Sequence, residues 1–299
     1  MRKKILITGA SGFIGIKLLK RILSYGDEIY AVVRNLNNIS ELKDYKNLHV
    51  IELEMKNYKF LPDYINDELD VFYHLAWEGY GISTNDPIIQ YANVLYSIDA
   101  FKAAEKLKTK KFIFTGTSHE YLKKNIDGRS ELCSIYGSAK LSFKQVANIL
   151  AQNSSMLFNS TIFSHIYGDC DYSKRSSYHI MKSLLNNQLP KLANANMLYD
   201  WTYVEDAVSG LIAVSESEFN YKDYYIGGKL RRFCDIVEDV KNVISPEMKL
   251  VFGQYIDDTY IDYDMIDLLA LYRDTKFEIT TDFKSSVLTT SNWIKNNNI

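Results

Sequence analysis

The sequence of 299 residues predicts an α/β protein with a doubly wound parallel β-sheet and a smaller C-terminal α/β region. Short apolar runs alternate with amphipathic segments through the first two thirds of the chain. This alternation is typical of a parallel sheet that is covered by helices on both faces. After Gly168 the sequence becomes more polar and irregular. We therefore expect a sheet domain over residues 1–168, with a contribution from about 195–225, and a second region over 169–299.

The apolar runs are short enough to be strands, and the segments between them carry apolar residues at helical spacing. The expected strands cover residues 4–8, 28–33, 48–51, 71–75, 111–114 and 160–166. The expected helices cover residues 14–23, 88–107, 136–151, 177–187 and 233–243. This regular order leaves no room for a solenoid, a helical bundle or an all-β fold.

Composition excludes several classes of partner. The 35 basic residues nearly balance the 37 acidic ones, so nothing suggests nucleic acid or an anionic membrane surface. Cys133, Cys170 and Cys234 have no metal-binding spacing and are expected to be reduced thiols. No apolar stretch approaches the roughly 18 residues of a membrane-spanning helix. We expect a cytoplasmic protein with a small-molecule partner, no metal, no nucleic acid and no membrane.

A glycine-rich turn joins the first strand to the first helix. Gly9, Gly12 and Gly15 are spaced as GxxGxxG, with Ser11, Phe13 and Ile14 between them. A side chain at these glycines would keep the backbone away from a pyrophosphate, whose charge is met by amides at the helix N-terminus. The strand, turn, helix and next strand all follow in order, so the sequence predicts a Rossmann-type dinucleotide site.

The end of the second strand indicates which dinucleotide is bound. A carboxylate there would bind the ribose 2′-hydroxyl of NAD, whereas an arginine would pair with the 2′-phosphate of NADP. The chain has Arg34 at this point and no acidic residue. We therefore expect NADP(H) and regard NAD as the less favoured cofactor, because an arginine–phosphate pair is strong and often bidentate. The alternative is that Arg34 stacks on adenine in an NAD enzyme.

A tyrosine and a lysine are placed for proton transfer. Tyr136 and Lys140 form a YxxxK pair at the start of a helix, so they lie one turn apart on the same face. A free phenol has a pKa of about 10, and a nearby ammonium is expected to lower that pKa. Thr117 follows the fifth strand and supplies a hydroxyl. These three residues are the candidate catalytic set.

Further motifs accompany the glycine turn and the YxxxK pair, in the same order along the chain. They are His74-Leu75-Ala76-Trp77, Tyr91-Ala92-Asn93-Val94, the segment DWTYVEDA at 200–207, and Trp293. The set resembles that of the extended short-chain dehydrogenases/reductases of the NAD-dependent epimerase/dehydratase family, which modify nucleotide sugars. The resemblance implies that Tyr136 transfers a proton, that the Thr117 hydroxyl binds the same substrate oxygen, and that Lys140 also holds the nicotinamide ribose.

The resemblance also implies cofactor contacts and an assembly. The expected cofactor-binding residues are Gly9, Ser11, Gly12, Phe13, Ile14, Gly15, Arg34, Glu54, Met55, Leu75, Ala76, Trp77, Asn93, Tyr136, Lys140, Ser164 and Ile166. Members of the family commonly dimerise through two helices, one of which carries YxxxK, so a homodimer is expected. The region 169–299 would mainly bind the substrate.

Departures from the family pattern concern the substrate. The chain has Thr117-Ser118-His119 where a sugar 4,6-dehydratase would carry Thr-Asp-Glu, so dehydration is disfavoured. His119 and His179 are a possible acid/base pair of the kind that a GDP-fucose synthase type of enzyme uses, or each is a packing residue. His165 replaces the usual asparagine, and Tyr199 replaces the usual diphosphate-binding arginine.

Several cations remain for the diphosphate of the substrate. Arg231 with Arg232, or Lys174 with Arg175, are candidates, and each pair is equally compatible with a solvated surface. The expected substrate-binding residues are Trp77, Ser118, His119, His165, His179 and Arg232. Trp77 in particular is placed after the fourth strand, where it could cover both nicotinamide and sugar.

The preferred function is NADPH-dependent reduction of a keto group on a nucleotide-activated sugar, such as an NDP-4-keto-6-deoxyhexose. One alternative is a nucleotide-sugar epimerase, or a bifunctional epimerase/reductase that uses His119 and His179. A second is a reductase of small non-sugar carbonyls. A third is an NADP-binding sensor without turnover, which the complete Thr117, Tyr136 and Lys140 set disfavours.

Overall fold

The computed structural model describes residues 2–81, 83–173 and 175–297. The strands are β1 (Lys4–Thr8), β2 (Glu28–Val33), β3 (Leu48–Glu52), β4 (Val71–His74), β5 (Lys111–Thr115), β6 (Leu122–Ile126), β7 (Arg129–Leu132), β8 (Leu157–Phe163), β9 (His165–Tyr167), β10 (Leu198–Tyr199), β11 (Trp201–Tyr203), β12 (Lys222–Ile226), β13 (Arg231–Arg232) and β14 (Thr259–Ile261). The α-helices are α1 (Phe13–Tyr25), α2 (Pro87–Lys106), α3 (Ile135–Ala151), α4 (Ser176–Leu185), α5 (Val204–Glu216), α6 (Phe233–Ile244), α7 (Ala270–Thr275) and α8 (Phe283–Asn297).

The predicted α/β fold class is confirmed. Within the described residues, seven strands form a sheet in the order β12-β8-β5-β4-β1-β2-β3, and every neighbouring pair is parallel. Successive side chains of a strand point to opposite faces, and both faces are apolar because helices cover both. Ile5 and Ile7 pack with α1 and α5, whereas Leu6 packs with α2 and α3. The chain thus alternates between the two faces as it builds the sheet.

The sixth predicted strand is wrong in its bounds. The run expected over 160–166 is divided between β8 and β9, and β9 leaves the central sheet to pair in parallel with β11. The position beside β8 is taken by β12, which lies beyond residue 168 in the sequence. Apolar residues lie on both sides of the break at Ser164, so the pattern alone does not reveal where the chain leaves the sheet.

Sequence analysis missed a small antiparallel sheet of β14, β6 and β7. The β6–β7 hairpin turns at Asp127 and Gly128, both of which have positive φ angles of 50° and 77°. An Asp-Gly pair with this geometry matches the twist of a hairpin. The signal was therefore present, but β7 is wholly exposed and has no apolar alternation to mark it.

The C-terminal region builds its own apolar cluster from α4, α6 and α8, together with Tyr167 and Trp201. Its members Ile180, Trp201 and Phe233 line one of the cavities described below. The division at residue 168 stays a prediction. No helix within the described ranges is long and apolar enough to cross a membrane.

Candidate active site

The glycine turn forms a close-packed cradle at the carboxyl end of β1. Gly9 has a φ of +69°, and a Cβ at this residue would lie 2.8 Å from the backbone nitrogen of Ala76. A Cβ at Gly15 would lie only 2.1 Å from the carbonyl oxygen of Gly9. Gly12 is the N-cap of α1, whose first amides face the turn. The cradle therefore fits a dinucleotide pyrophosphate, because only glycine leaves space for it at the helix N-terminus.

Two cavities extend from this cradle. The first, of about 230 Å³, lies beside the end of β2 and includes Arg34 and Met55 in its wall. The second, of about 420 Å³, runs from Gly12 to Thr117, Tyr136 and Lys140. The first has the position of an adenosine site, and the second leads to the candidate catalytic residues.

The three candidate catalytic residues are brought together and buried. Ser134 caps α3 by accepting a hydrogen bond from the Gly137 amide at 3.0 Å, so the helix begins just before Tyr136. A Cβ at Gly137 would lie 1.9 Å from the carbonyl oxygen of His119. Glycine in the YGxxK motif therefore allows α3 to pack directly against the turn that follows Thr117.

Burial has the largest effect on the pKa values of Tyr136 and Lys140. It raises the pKa of the Tyr136 phenol, while Arg175 and the Thr117 hydroxyl oppose that rise. Burial also lowers the pKa of Lys140 to about 7, and the charge of Glu120 opposes that change. We predicted from the sequence that Lys140 lowers the pKa of Tyr136, but burial raises this pKa instead. A phenol that stays neutral is suited to donating a proton.

Lys140 is held by several neighbours besides Tyr136. Its Nζ donates a hydrogen bond to the carbonyl oxygen of Thr115 and lies 4.5 Å from the ring centroid of Trp77. The Trp77 indole in turn donates to Gln90 at 2.8 Å. The lysine side chain is thus fixed at the floor of the larger cofactor cavity.

Most of the predicted cofactor contacts line the two cavities. These residues are Gly9, Ser11, Gly12, Phe13, Ile14, Gly15, Arg34, Met55, Leu75, Ala76, Trp77, Tyr136, Lys140, Ser164 and Ile166. Two predictions are not matched by the geometry. Glu54 is exposed and pairs with Lys56. Asn93 is buried behind the site, where its Oδ1 accepts a hydrogen bond from the Glu78 amide at 2.8 Å. Asn93 therefore supports the loop after β4 without lining the cavity.

A third cavity, of about 350 Å³, continues from the second one. Three of the expected substrate contacts, Ser118, His119 and His165, line it together with Thr117. Trp77 faces the cofactor cavities instead, and Arg232 is exposed in a two-bond pair with Asp235. Thr117 lies on the wall between the second and third cavities.

The predicted pairing of His119 with His179 is wrong in geometry. His179 is exposed on α4 and lines a separate cavity of about 520 Å³. His165 shares the cavity with His119, and burial lowers the pKa of His165 to about 3. Burial lowers the pKa of His119 as well, with a further contribution from Arg175. Both imidazoles facing the cavity are therefore neutral hydrogen-bonding groups near pH 7.

Arg175 was predicted only as one of several candidate cations for the diphosphate, and the contribution of a distant segment was not predicted. Arg175 lines both the second and third cavities, and its guanidinium carbon lies 4.8 Å from the ring centroid of Tyr80. Lys174, its proposed companion, lies outside the described residues. Residues 257–263, around β14, close the far wall of the third cavity. Nothing local in that segment marks it, because its position depends on pairing with β6.

The fold and the arrangement of Thr117, Tyr136 and Lys140 are those expected of a dinucleotide-dependent enzyme of the extended short-chain dehydrogenase/reductase type. The family model described as "NAD dependent epimerase/dehydratase family" matches residues 5–227. The chain belongs to this family.

Relatives and solved structures agree with this assignment. The chain is 26% identical over 261 residues to CDP-abequose synthase of Salmonella muenchen, which covers 85% of each protein. It is similar in structure to UDP-glucuronic acid 4-epimerase from Bacillus cereus, solved with UDP-glucuronic acid and NAD. That likeness has a TM-score of 0.81 and 21% identity, and it covers 98% of this chain and 99% of that one.

A UDP-N-acetylglucosamine 4-epimerase from Methanobrevibacter ruminantium is also similar in structure. Its TM-score is 0.82 with 17% identity, and the match covers 99% of both chains. At these identities the two structures show a common fold.

Proposed function

We propose that the protein reduces a keto group on a nucleotide-activated sugar with NADPH, and that the substrate is an NDP-4-keto-6-deoxyhexose reduced at C4. One observation carries this proposal. The Thr117 hydroxyl lies where the cofactor cavity meets the substrate cavity, and the buried, neutral Tyr136 phenol lines the cofactor cavity beside it. A ketone bound there would lie within reach of both groups.

In this reaction the bound nicotinamide supplies the hydride. Tyr136 donates its proton to the ketone oxygen, so that ketone, hydride and proton together give the alcohol. The Thr117 hydroxyl donates a hydrogen bond to the same oxygen and stabilises the charge that develops on it. Lys140 holds the nicotinamide ribose, and the neutral His119 and His165 are available as hydrogen-bonding partners for sugar hydroxyls.

The nucleotide of the substrate would occupy the cavity of about 520 Å³. That cavity shares Tyr199 with the sugar cavity, and Trp201 and Phe233 provide flat apolar surface for a base. Lys191 and His179 lie in its wall and could face the diphosphate, since Tyr199 replaces the usual arginine. CDP-abequose synthase and the UDP-sugar epimerases are named for nucleotide-linked sugars, which supports a nucleotide-sugar substrate.

Arg34 supports the choice of NADPH. It is exposed at the end of β2 in the wall of the adenosine cavity, and it forms no salt bridge with any residue that the structure describes. We expect Arg34→Ala to reduce the preference for NADPH over NADH by about 10- to 100-fold, because hydrogen bonds to a charged group are lost. Comparing kcat/KM for the two cofactors measures this change. An unchanged ratio would refute the role of Arg34 in cofactor choice.

A second candidate is 4-epimerisation of a nucleotide sugar, because the structural relatives include 4-epimerases and one was solved with NAD. The two functions differ in how the cofactor is held. A reductase releases oxidised cofactor at each turnover, whereas an epimerase retains it and returns the hydride.

The deciding experiment combines cofactor extraction with a substrate screen. We expect the purified protein to carry little cofactor and to oxidise NADPH, followed by absorbance, with nucleotide-4-ketosugars and not with simple ketones or aldehydes. Tightly retained NAD together with interconversion of epimeric nucleotide sugars would replace the reductase proposal with the epimerase. Turnover of simple carbonyls alone would refute the sugar assignment.

A cytoplasmic homodimer completes the proposal. The helices α2 and α3 pack side by side, and Ile88, Leu95 and Ile149 on them are exposed. A second copy could cover these side chains. Phe143 lies on the same helix α3, but it is fully buried in the intramolecular core and does not reach this surface.

A further inference from the structure

A buried ion pair lies directly behind the candidate catalytic residues. Glu120 belongs to the short turn Ser118–Tyr121 that follows Thr117, and its side chain is 0% exposed. Its Oε2 lies 2.7 Å from the Nζ of Lys144, which is 5% exposed. Lys144 follows Tyr136 and Lys140 at the same four-residue interval on α3. The three side chains therefore share one face of the helix.

The carboxylate is joined to the backbone of Thr117. The Thr117 amide donates a hydrogen bond to Glu120 Oε1 at 2.9 Å, and the Thr117 hydroxyl accepts one from the His119 amide at 3.3 Å. This reciprocal capping fixes the turn at both ends. The orientation of the Thr117 hydroxyl therefore depends on the side chain of Glu120.

Lys144 anchors the other end of the carboxylate. Its Nζ also donates to Asp223 of β12 at 3.0 Å and to the Tyr121 hydroxyl at 3.3 Å. A Cβ at Gly116 would lie 2.4 Å from Glu120 Oε1, so the glycine provides the space that the carboxylate occupies. The pair thus connects the catalytic turn, the helix that carries Tyr136, and the edge strand of the sheet.

Folding stability alone does not explain why Glu120 and Lys144 form a buried ion pair. Removing two charges from water costs free energy that their attraction only partly repays, and apolar residues of similar volume often serve as well. What an apolar pair could not supply is a negative charge beside Lys140 and an acceptor for the Thr117 amide. We propose that Glu120 and Lys144 are positioning residues, which hold the Thr117 hydroxyl toward the substrate and fix a negative charge on the side of α3 that carries Lys140.

The surroundings of Lys140 support the second part of this role. The charged or titratable groups that face Lys140 are Glu120 from the turn, Tyr136 and Lys144 from α3, and His74 from β4. Of these, Glu120 raises the pKa of Lys140, while burial lowers it to about 7. For Lys144, the charges of Glu120 and Asp223 outweigh burial and raise the pKa. Burial raises the pKa of Glu120, and the charge of Lys144 and the hydrogen bond from the Thr117 amide oppose that rise. Lys144 therefore stays charged and supports the carboxylate form of Glu120.

The test uses variants that separate charge from hydrogen bonding. Glu120→Gln removes the charge but keeps an oxygen that can accept from Thr117, whereas Glu120→Met removes both. Lys144→Arg keeps a cation, and Lys144→Met does not. Lys111→Met is the matched control, because Lys111 is a buried lysine at the opposite end of β5 and, within the described part of the chain, donates to the last turn of α5 and to Ser217.

Three quantities are measured for each variant. They are the pH dependence of dinucleotide affinity by tryptophan fluorescence, kcat and KM for NADPH oxidation, and the unfolding midpoint. Of these measurements, only the kinetic one depends on the proposed function. Dinucleotide affinity reports on Lys140 even if the true substrate is of another class, so failure of the inference and failure of the proposed function give different results.

In the intact protein, affinity is expected to fall as the pH rises through the pKa of Lys140, because the ammonium is lost. Glu120→Gln should move this fall to lower pH, since removing a negative charge lowers the lysine pKa further. We expect kcat to fall about tenfold in Glu120→Gln, where only the negative charge is lost, and on the order of 100-fold in Glu120→Met, where the Thr117 hydroxyl also loses its orientation. Lys144→Arg should restore most of what Lys144→Met loses.

Lys111→Met should lower the unfolding midpoint without moving the pH profile of binding or the kcat. The inference is overturned if Glu120→Gln and Lys144→Met behave in the same way as Lys111→Met. It is also overturned if the pH profile of Glu120→Gln coincides with that of the unmodified protein.

Discussion

Tyr136→Phe is expected to lower kcat for reduction by about 100- to 10,000-fold, the range of a lost proton-transfer group. Phenylalanine keeps the ring, which contacts Trp77, Tyr80 and His119. Only the hydroxyl that delivers the proton is removed. Dinucleotide affinity and the unfolding midpoint should therefore stay close to those of the unmodified protein. NADPH absorbance in single-turnover and steady-state assays measures the loss.

Tyr73→Phe is a suitable control for this change. Tyr73 is also buried, but it lies in β4 on the face of the sheet that packs with α1 and α5. Its variant loses a buried hydroxyl and should keep kcat. Equal turnover by Tyr136→Phe and the unmodified protein would show that another group supplies the proton, and the reductase proposal would lose its central residue.

The parts of the candidate site whose arrangement could be predicted from the sequence are those set by local geometry. Gly9, Gly12 and Gly15 lie within one strand–turn–helix unit, so their spacing already fixes how close the backbone can approach a pyrophosphate. Tyr136 and Lys140 lie on one helical turn, so their common face follows from the helix period. Neither inference needs knowledge of the distant parts of the chain.

The error about His179 could have been avoided from helical phase. Ser177, Tyr178, Ile180, Met181 and Leu184 are the buried positions of α4. Their spacing defines the inner face of the helix and places His179 outward. His165 was harder to assign, because its contact with the same cavity as His119 depends on the pairing of β9 with β11.

The pKa values of the site residues could not be predicted from the sequence, because they depend on burial. The sequence spacing predicted that Lys140 lowers the pKa of Tyr136. In the structure, burial has the larger effect on the pKa of both groups. Arg175 presents the same difficulty, since its position between two cavities depends on how the segment after β9 folds over Phe13 and Tyr80. Long-range packing decides these properties, and no local pattern carries them.

Gly15→Ala is the second substitution with a large expected effect. The new Cβ would lie 2.1 Å from the Gly9 carbonyl oxygen, so the turn must move away from α1. The amides at the start of α1 would then no longer converge on the pyrophosphate. We expect dinucleotide affinity to fall by about 10- to 100-fold, which corresponds to losing hydrogen bonds to a charged group. Fluorescence titration with NADPH measures this loss.

Two further glycines distinguish loss of the cradle from general destabilisation. Gly26 ends α1 with a φ of +80° and has open space around it, so Gly26→Ala strains the backbone without touching the turn. It should lower the unfolding midpoint and leave affinity unchanged. A Cβ at Gly12 would lie 3.2 Å from the Gly9 oxygen, which is tight but tolerable. Gly12→Ala should therefore fold well and still bind poorly, because its methyl group occupies the cradle that the pyrophosphate needs. Normal affinity in both Gly12→Ala and Gly15→Ala would mean that the dinucleotide is held elsewhere.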